Sequence, residues 1–368
     1  MKQLLLVGGG HAHLPVLRAL AAKPLPGWRV CLLTSHPRQI YSGMLPGWVA
    51  GHYTLDDCSI ELAGLAARAG AELVLDSAMA VDAGAQVVTT VQGRELRYDV
   101  LSLDVGSAPA IASLDGAQEH GTLIRPIEGF VAQWAALVER LRAGGSRHDV
   151  TVLGGGAAGL ELAFALRHRG RAEGWSHLQV QLAGAEDLPL SSMPEGARRR
   201  ALDLMAERGI PWLGRHRAVA LEPQAIRLDG GGVLRSDTIW VVTGGAAPAW
   251  LGSSTLAKDD AGFVRVNASL QSLSHPNVFA AGDTASHPAP LPRSGVYAVR
   301  AGPWLARNLD AYCRGQALAD WRPQRRALYL VSTGDRAAMA VWGSRSWSGR
   351  WVWNWKDWID RGFVRSYS

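Results

Sequence analysis

Cysteine is scarce in this sequence of 368 residues, because only Cys31, Cys58 and Cys313 occur and they lie far apart. No two of them form a CxxC redox pair or a zinc knuckle. We therefore exclude a dithiol that reduces disulfides, and we predict no metal site. The low cysteine content and the lack of a secretory leader are typical of a cytoplasmic compartment.

Long apolar runs and a strong charge of one sign are also missing. The apolar run at residues 4–7 ends in glycine and predicts a buried strand, and no run is long enough to span a bilayer. The net charge of +6 is dispersed along the chain and gives no reason to expect a nucleic-acid partner. With 48% hydrophobic and 19% charged residues, the chain can bury the cores of two ordinary domains.

Phenylalanine and tyrosine are few, so most of the aromatic content is indole: 15 Trp against 7 Tyr and 5 Phe. Six of these indoles lie near the C-terminus, at Trp342, Trp347, Trp351, Trp353, Trp355 and Trp358. On a helix that begins at Arg350, the predicted apolar face holds Trp351, Val352, Trp355, Trp358, Ile359 and Phe363. The predicted polar face holds Asn354, Asp357, Asp360 and Arg361, and Trp353 fits neither pattern.

Basic residues accompany these indoles, at Arg345, Arg350, Lys356, Arg361 and Arg365. Two interpretations of this C-terminal segment stay open. The indoles pack over the protein's own pocket or at a homodimer interface, or they make a peripheral contact with the inner face of a membrane.

Glycine, in contrast, is abundant, with 42 residues, and it marks a first nucleotide-binding unit. The apolar strand at residues 4–7 is followed by Gly8, Gly9 and Gly10 and by a helix predicted over residues 14–22. Gly8 permits the tight turn, and Gly10 lets the backbone approach a pyrophosphate at the start of the helix. The third glycine of this fingerprint is replaced by His13.

A second unit has the complete GxGxxG pattern, at residues 154–159, between a strand and a helix. Two such units about 145 residues apart predict two dinucleotide-binding domains. Neither unit has the usual acid at the tip of its second strand. Thr34 and Ser35 follow the first of these strands, while Ala183 follows the second and no arginine stands there to read a 2′-phosphate.

Three further segments carry a family resemblance. Residues 98–107, 239–245 and 277–283 resemble the domain-closing strands and the second FAD signature of pyridine-nucleotide-dependent flavoproteins. Within that superfamily the chain is most similar to the branch of type II NADH dehydrogenases and sulfide:quinone reductases. Residues 11–13, 41–47 and 292–300 resemble, more narrowly, the flavoprotein domain found fused to selenophosphate synthetase.

The resemblance implies an α/β fold with two Rossmann-like dinucleotide-binding domains. Residues 1–112 and 252–318 would form an FAD-binding domain, interrupted by an NAD(P)-binding-like domain at residues 113–251. Residues 319–368 would form a Trp-rich C-terminal segment.

The resemblance also implies roles for individual residues. The FAD pyrophosphate would lie at Gly8, Gly9, Gly10 and His11, and the adenosine at Thr34, Ser35 and Val81. The ribityl chain and flavin would lie near Met44, Gly106, Gly282, Asp283 and Val296, the last of these in a helix over residues 296–310. NAD(P) would bind at Gly154, Gly156 and Gly159.

Two residues are predicted to be catalytic, Glu161 and Tyr297. A structural alternative stays open for each: Glu161 complements the dipole of the helix that it begins, and Tyr297 is a packing aromatic. The implied function is an FAD-dependent oxidoreductase that accepts hydride from NAD(P)H and passes electrons to a quinone or another small acceptor. The alternatives are a flavoprotein that acts on a metabolite without NAD(P)H and a non-catalytic flavin-bound accessory protein in selenium or sulfur handling.

Overall fold

Each Gly-rich unit lies at the centre of its own five-stranded parallel sheet in the computed structural model, which describes Met1–Ser368. The first sheet has the strand order Val278–Ala280, Val100–Leu103, Lys2–Val7, Trp28–Thr34 and Ala71–Leu75. The second sheet has the strand order Thr122–Leu123, Thr238–Val241, His148–Leu153, Leu178–Ala183 and Trp212–Leu213. The predicted fold class, α/β with two Rossmann-like units, is confirmed.

Both central strands are apolar because both faces of each parallel sheet are covered. In the second sheet, helices pack on one face and the antiparallel strands between residues 218 and 235 pack on the other. Leu4, Leu5 and Leu6 have no exposed surface, and neither do Val150 and Val152 in the second sheet. The α-helices are His13–Ala22, Leu45–Val49, Leu62–Arg68, Ala117–His120, Ile127–Ala143, Ala157–Ala172, Glu195–Glu207, Gly295–Cys313 and Arg350–Arg365. Short 3-10 turns occur at Asp56–Cys58, Ala249–Leu251 and Gly282–Thr284.

Small antiparallel sheets complete the fold. Two of them are inserted in the sequence between strands of a parallel sheet. The one in the first sheet contains Ala78–Asp82, Val87–Thr90 and Glu95–Arg97, and the one in the second contains Ala218–Glu222, Ala225–Leu228 and Val233–Arg235. The third, the terminal sheet, contains Leu328–Ser332, Ala338–Trp342 and Arg345–Gly349. Strand pairs join Arg38–Ile40 to Ser59–Glu61, Ala108–Pro109 to Gly245–Ala246, and Val264–Arg265 to Ala285–Ser286.

Two large hydrophobic cores surround the two parallel sheets. The first core contains residues between 4 and 103 together with residues between 251 and 309. The second contains residues between 124 and 240, together with Leu45, Val49 and Ala50 from the first part of the chain. The C-terminal segment packs against both, because Trp321 and Val364 belong to the first core while Met339 and Val341 belong to the second. The exact domain boundaries stay a prediction.

The terminal helix, Arg350–Arg365, buries a different face from the one that we predicted. Its buried residues are Val352, Lys356, Asp360 and Val364, spaced four apart, and Phe363 is partly buried against the first core. We predicted that Val352 and Phe363 lie on one face of this helix and Asp360 on the opposite face. This prediction is wrong, because all three are turned toward the protein. The physical reason is the ion pair between Lys356 and Asp360, at 2.6 Å, which is turned toward the protein interior.

Three indoles of the terminal helix, Trp351, Trp355 and Trp358, consequently face outward, whereas Trp353 is partly buried and packs against the His52 ring. Trp342 and Trp347 are also exposed, and they lie on the sheet face that packs on the helix, because Ala340 is opposite Trp347 and packs with Val352. We call the following set the tryptophan surface: Trp342, Trp347, Trp351, Trp355, Trp358 and Ile359. None of the helices combines the length and the apolar character that crossing a membrane requires.

Candidate active site

A cleft of about 470 Å³ opens at the carboxyl ends of the five strands of the first sheet. In open α/β sheets this edge is where ligands bind. Eight of the predicted cofactor-binding residues line the cleft: Gly8, Gly9, Gly10, His11, Thr34, Ser35, Gly106 and Asp283. The sheet topology thus brings together residues from four distant segments of the sequence.

The first Gly-rich loop requires glycine for steric reasons. Gly8 has a φ of +98°, and its N–H donates to the Leu33 carbonyl at 2.8 Å. A Cβ atom on Gly8 would overlap the Asp104 backbone, and one on Gly10 would overlap the Asp104 carboxyl group. The loop therefore lies in close contact with the strand end at Asp104.

His13, which replaces the third glycine, joins the start of the first helix to two neighbouring segments. Its Nδ1 is 2.6 Å from the Gly8 carbonyl and its Nε2 is 2.8 Å from the Ser102 hydroxyl. Burial lowers the pKa of His13 to about 4, so the ring is neutral. Because a carbonyl only accepts, Nδ1 donates to Gly8 and Nε2 accepts from Ser102.

Asp104 is a site residue that the sequence reasoning did not single out. Its Oδ2 accepts the backbone N–H groups of Ala12, at 2.6 Å, and His13, at 3.0 Å. Burial raises the pKa of Asp104 to about 7, and the neighbouring Asp283 carboxylate adds to this effect. The signal in the sequence is an acid at the end of an otherwise apolar strand, just before Gly106.

At the other end of the loop, the His11 ring packs against two aromatic rings, which also contact each other. Its centroid is 5.4 Å from that of Tyr41 and 5.9 Å from that of Phe363 in the terminal helix. Burial lowers the pKa of His11 to about 4, with a contribution from the Arg125 charge. The His11 Nε2 and the Gln39 Oε1 are buried without a hydrogen-bond partner, and both residues line the cleft.

Asp283 lies across the cleft in the turn Gly282–Thr284. The Ser107 hydroxyl donates to its Oδ2 at 3.4 Å, and the Arg125 guanidinium is 3.6 Å from the same oxygen. Burial raises the pKa of Asp283, opposed by the charge of Arg125. Arg125 itself lines the cleft, so the segment between the strand Thr122–Leu123 of the second sheet and the helix Ile127–Ala143 contributes directly to this site.

The predicted adenosine end is partly different from our expectation. Thr34 and Ser35 line the cleft, but Val81 is buried in the first core and does not. From the same strand Ala78 lines the cleft, together with Asp76 at the tip of the neighbouring strand. Asp76 is thus an acid at this end of the cleft, contributed by the last strand of the sheet rather than by the second strand of the unit.

The remaining predicted flavin residues are spread around the cleft. Met44 is fully buried, and its carbonyl accepts the Cys58 thiol. Val296 lines neither cleft, although Gly295 and Ala298 of the same helix line the first. Gly282 and Tyr297 line a smaller neighbouring cleft of about 230 Å³, of which Asp283 also forms part of the wall.

The second Gly-rich loop repeats the geometry of the first. Gly154 has a φ of +132°, and its N–H donates to the Ala183 carbonyl at 2.8 Å. Gly156 precedes the helix Ala157–Ala172 in an extended conformation. A Cβ atom on Gly159 would overlap the Gly154 carbonyl, so this third glycine permits the close helix–strand packing that its fingerprint position predicts.

Trp212 packs against the second glycine of this loop, while Gly156 stays exposed. A Cβ atom on Gly155 or on Gly184 would meet the Trp212 ring, which therefore lies against both glycines. The indole Nε1 donates to the Asp187 carbonyl at 2.9 Å, and the Leu190 N–H donates to the Gly155 carbonyl at 2.7 Å. A dinucleotide bound along this loop must lie against the Trp212 ring or displace it.

The tip of the second strand of this unit does have an arginine beside it. The Arg215 N–H donates to the Glu186 carbonyl at 3.0 Å, and the Arg215 side chain forms an ion pair with Asp187. The expectation that no arginine stands at this tip is therefore wrong. The reason is that Arg215 is provided by the segment after the next strand, which the sheet brings alongside.

Glu161 lies in a buried ion cluster instead of at an exposed helix end. It does not line the first cleft, and its carboxylate accepts the Ser332 N–H of the terminal sheet at 2.8 Å. Burial raises the pKa of Glu161 to about 7, although Lys356 works against this effect. We use the name buried ion cluster for Glu161, Lys356 and Asp360.

Lys356 links this cluster to the segment beside His11. Its ammonium donates to the Gly43 carbonyl at 2.7 Å and to Asp360 at 2.6 Å. Burial works to lower the pKa of Lys356, but the charges of Asp360 and Glu161 outweigh it and raise the pKa. Burial and the Asp360 charge together raise the pKa of Tyr41, whose ring also contacts His11. The cluster thus reaches the wall of the cleft through Tyr41.

The three cysteines are separate free thiols. Cys31 and Cys58 are buried, and Cys313 is partly buried. Burial raises the pKa of each to about 12, so none is an activated thiolate.

Comparisons with known proteins agree with this arrangement. The sulfide-quinone reductase of Aquifex aeolicus (strain VF5) is 23% identical over 239 residues, which cover 61% of this chain and 53% of that protein. An NADH dehydrogenase-like protein of Mycobacterium tuberculosis is 26% identical over 301 residues, which cover 78% of this chain and 73% of that protein. The solved structure of the Aquifex sulfide:quinone oxidoreductase matches with a TM-score of 0.83 at 20% identity, over 100% of this chain and 92% of that chain.

The chain thus spans about half the length of the curated Aquifex relative. These matches confirm the resemblance to the branch of NADH dehydrogenases and sulfide:quinone reductases, while the likeness to the selenophosphate synthetase-fused domain stays a prediction. The family model described as pyridine nucleotide-disulphide oxidoreductase matches residues 2–302. The chain belongs to the pyridine nucleotide-disulphide oxidoreductase family.

Proposed function

We propose that the chain is an FAD-dependent oxidoreductase that accepts hydride from NAD(P)H and passes electrons to a quinone or another small acceptor. The observation that carries this proposal is the first cleft. It combines a Gly-rich loop that a Cβ atom would block with two buried polar atoms, on His11 and Gln39, that have no partner in the protein. Buried polar groups are normally paired, so these two favour a polar ligand.

The cleft residues fit the parts of FAD in order along its wall. Gly8, Gly9, Gly10 and His11 would hold the pyrophosphate, and Thr34, Ser35 and Asp76 would lie at the adenosine. Asp283 would accept a hydrogen bond from the ribityl chain, oriented by Ser107 and Arg125. When bound, FAD supplies the hydride and electron transfer, and the protein positions it and controls access of protons and water.

The donor is assigned to the second Gly-rich loop. Gly154 and Gly159 have the close contacts of a nucleotide-binding turn, and the helix Ala157–Ala172 begins directly after Gly156. Arg215 at the neighbouring strand tip offers a positive charge to the nucleotide. The family description, which names pyridine nucleotides, supports the same assignment.

A small molecule is the favoured acceptor because the protein cannot present a thiol pair. Its cysteines are separate, and burial raises the pKa of each to about 12. The sulfide-quinone reductase of Aquifex aeolicus and a demethylphylloquinone reductase of Synechocystis are among the relatives, which supports a quinone.

The buried ion cluster would supply a proton to this acceptor. Reduction of a quinone consumes two electrons and two protons, whereas a hydride brings two electrons and only one proton. A carboxyl group with a pKa near 7 holds and releases a proton at neutral pH. We therefore assign Glu161 as a proton-holding residue that acts through Tyr41 and Lys356, and we assign Tyr297 to the wall of the smaller cleft.

One observation favours a second candidate function. Because Trp212 lies against Gly155 of the second Gly-rich loop, access of a nucleotide is restricted on that side. If it is restricted permanently, the protein would oxidise or reduce a small metabolite at the first cleft without NAD(P)H.

The tryptophan surface would place the protein on a membrane. Trp358 is 74% exposed, and the basic residues Arg345, Arg350 and Arg365 are exposed beside the indoles. Indole rings next to basic side chains are typical of helices that lie on a lipid surface. A homodimer interface is the competing interpretation.

The function is tested by anaerobic reduction of the purified protein. The bound cofactor is identified by its absorbance, and NADH or NADPH is added without oxygen, followed by a soluble quinone. Bleaching that the quinone reverses supports the proposal, whereas bleaching only with a metabolite supports the second candidate. The Asp283→Ala variant should lose FAD, and a variant that retains a full complement of FAD would contradict the assignment of this residue.

A further inference from the structure

Asp104 lies between the two glycine-containing turns of the first cleft and is only 2% exposed. Its Oδ2 is occupied by the N–H groups of Ala12 and His13. Its Oδ1 has no donor in the protein, and a Cβ atom on Gly282 would come within 2.6 Å of it. Since Asp104 also lines the cleft, this free oxygen is available to a ligand.

No cation compensates a negative charge on Asp104. Arg125 is engaged by Asp283 and Ser107, on the other side of the turn. His13 is neutral and held by Gly8 and Ser102, and burial also keeps His11 neutral by lowering its pKa to about 4. The remaining charged neighbour is Asp283, which is itself an acid.

A pyrophosphate at the first Gly-rich loop would add further negative charge beside this carboxyl group. Two like charges at close range in a poorly hydrated site repel strongly, and a carboxyl group in that position takes up a proton instead. Once protonated, Oδ1 becomes a hydrogen-bond donor while Oδ2 still accepts from the helix.

We propose that Asp104 binds FAD in its protonated form and donates a hydrogen bond from Oδ1 to a phosphate oxygen, so that cofactor binding takes up one proton from solvent. This inference rests on the proposed function, in which the first cleft binds FAD. In the free protein, burial already raises the pKa of Asp104 to about 7, and a bound pyrophosphate would raise it further.

The test is the pH dependence of FAD affinity. FAD is titrated into protein stripped of its cofactor, between neutral and mildly alkaline pH, by calorimetry in two buffers of different ionisation enthalpy. Uptake of one proton weakens binding about tenfold for each pH unit above the pKa of the free protein. The buffer dependence of the binding enthalpy should report about half a proton taken up near neutral pH and close to one at the alkaline end of the range, and it requires no variant.

Asp104→Asn isolates the contribution of this residue, because an amide donates at any pH. Its FAD affinity should be independent of pH and should exceed that of the unmodified protein by about tenfold one pH unit above neutral. Two control variants should keep the pH dependence. Asp76→Asn removes another acid of the cleft, and His11→Gln removes the other group that a phosphate would protonate.

The outcomes separate the protonation of Asp104 from the proposed function. FAD binding that is independent of pH in the unmodified protein, or a slope that persists in Asp104→Asn, would overturn this inference and leave the proposed function intact. Loss of the slope in His11→Gln would also overturn it. A protein that binds no FAD at any pH would overturn the proposed function as well.

Discussion

A single histidine joins the first helix to the sheet where the fingerprint of the Gly-rich loop has a glycine. His13 reaches both the Gly8 carbonyl and the Ser102 hydroxyl, so its ring fills the space that a glycine leaves for close packing. The second loop retains Gly159 and packs its helix directly on the turn. The same local turn is therefore stabilised in two different ways within one chain.

His13→Ala should reduce the free energy of unfolding by about 2–4 kcal/mol, because it leaves a cavity and two buried polar groups without a partner. Urea denaturation measures this loss. His120→Ala, which changes an exposed histidine, should leave the unfolding midpoint unchanged. A His13→Ala midpoint equal to that of the unmodified protein would show that the two hydrogen bonds contribute nothing to stability.

Glu161 should make reduction of the acceptor dependent on pH. Its pKa is raised to about 7, so the protonated form decreases above neutral pH, and the rate of acceptor reduction should fall there. Glu161→Gln should remove this inflection and lower the rate by about 10²-fold or more. Stopped-flow spectroscopy measures the two half-reactions separately.

The half-reaction with NAD(P)H provides the internal control for Glu161. It should proceed in Glu161→Gln as in the unmodified protein, and Glu119→Gln, an exposed acid, should affect neither half-reaction. If Glu161→Gln kept the alkaline decrease in acceptor reduction, the proton would have to come from another group.

At the scale of secondary-structure elements, the two Gly-rich loops differ in what lies over them. The first is open to the cleft of about 470 Å³. At the second, Trp212 of the last strand of its sheet and the segment at Leu190 lie against Gly155, while Gly156 stays exposed. Similar local sequence patterns therefore have different surroundings, because the elements next to them differ.

Trp212→Ala should strengthen apparent binding of the nucleotide donor by about tenfold. In the unmodified protein the Trp212 ring must first move away from the loop, and the variant does not need this step. Anaerobic reduction of the flavin at increasing NADH and NADPH concentrations measures the effect. Trp358→Ala, far from this loop, is the matched control. Weaker binding in Trp212→Ala would indicate instead that the ring stacks on the nucleotide.

The whole molecule presents one concentrated apolar area, the tryptophan surface on the C-terminal segment. The indoles lie outside because the opposite side of the terminal helix holds Lys356 and Asp360. This ion pair contacts the segment at Gly43, and Phe363 of the same helix packs against Tyr41 and against His11, which lines the cleft. The helix that exposes the indoles therefore also supports one wall of the cleft.

The triple variant Trp351→Ala, Trp355→Ala and Trp358→Ala should lose binding to phospholipid vesicles. The unmodified protein should sediment with vesicles that contain an anionic lipid, and more weakly with neutral ones. A control variant, in which the exposed apolar residues Leu75, Met79 and Val91 elsewhere on the protein are replaced, should bind vesicles as strongly as the unmodified protein. Absence of vesicle binding, with a concentration-dependent dimer that the triple variant abolishes, would assign the surface to a homodimer.

The sequence by itself determined the two strand–turn–helix units, because buried strands and glycine turns depend on local hydrophobic pattern and on backbone conformations that only glycine adopts readily. It also indicated the cleft residues that directly follow strands, such as Gly106 and Asp283. Signals of this kind lie within a few residues of one another.

Only the tertiary structure decided the rest. Asp104 reaches the first helix across 92 residues of sequence, and Arg215 reaches Asp187 across 28. The buried face of the terminal helix was decided by the ion pair of Lys356 and Asp360 and not by its indoles. Asp104 and Lys356 are buried, so each needs a partner, and the Ala12 N–H and the Gly43 carbonyl that they bind belong to distant segments of the sequence.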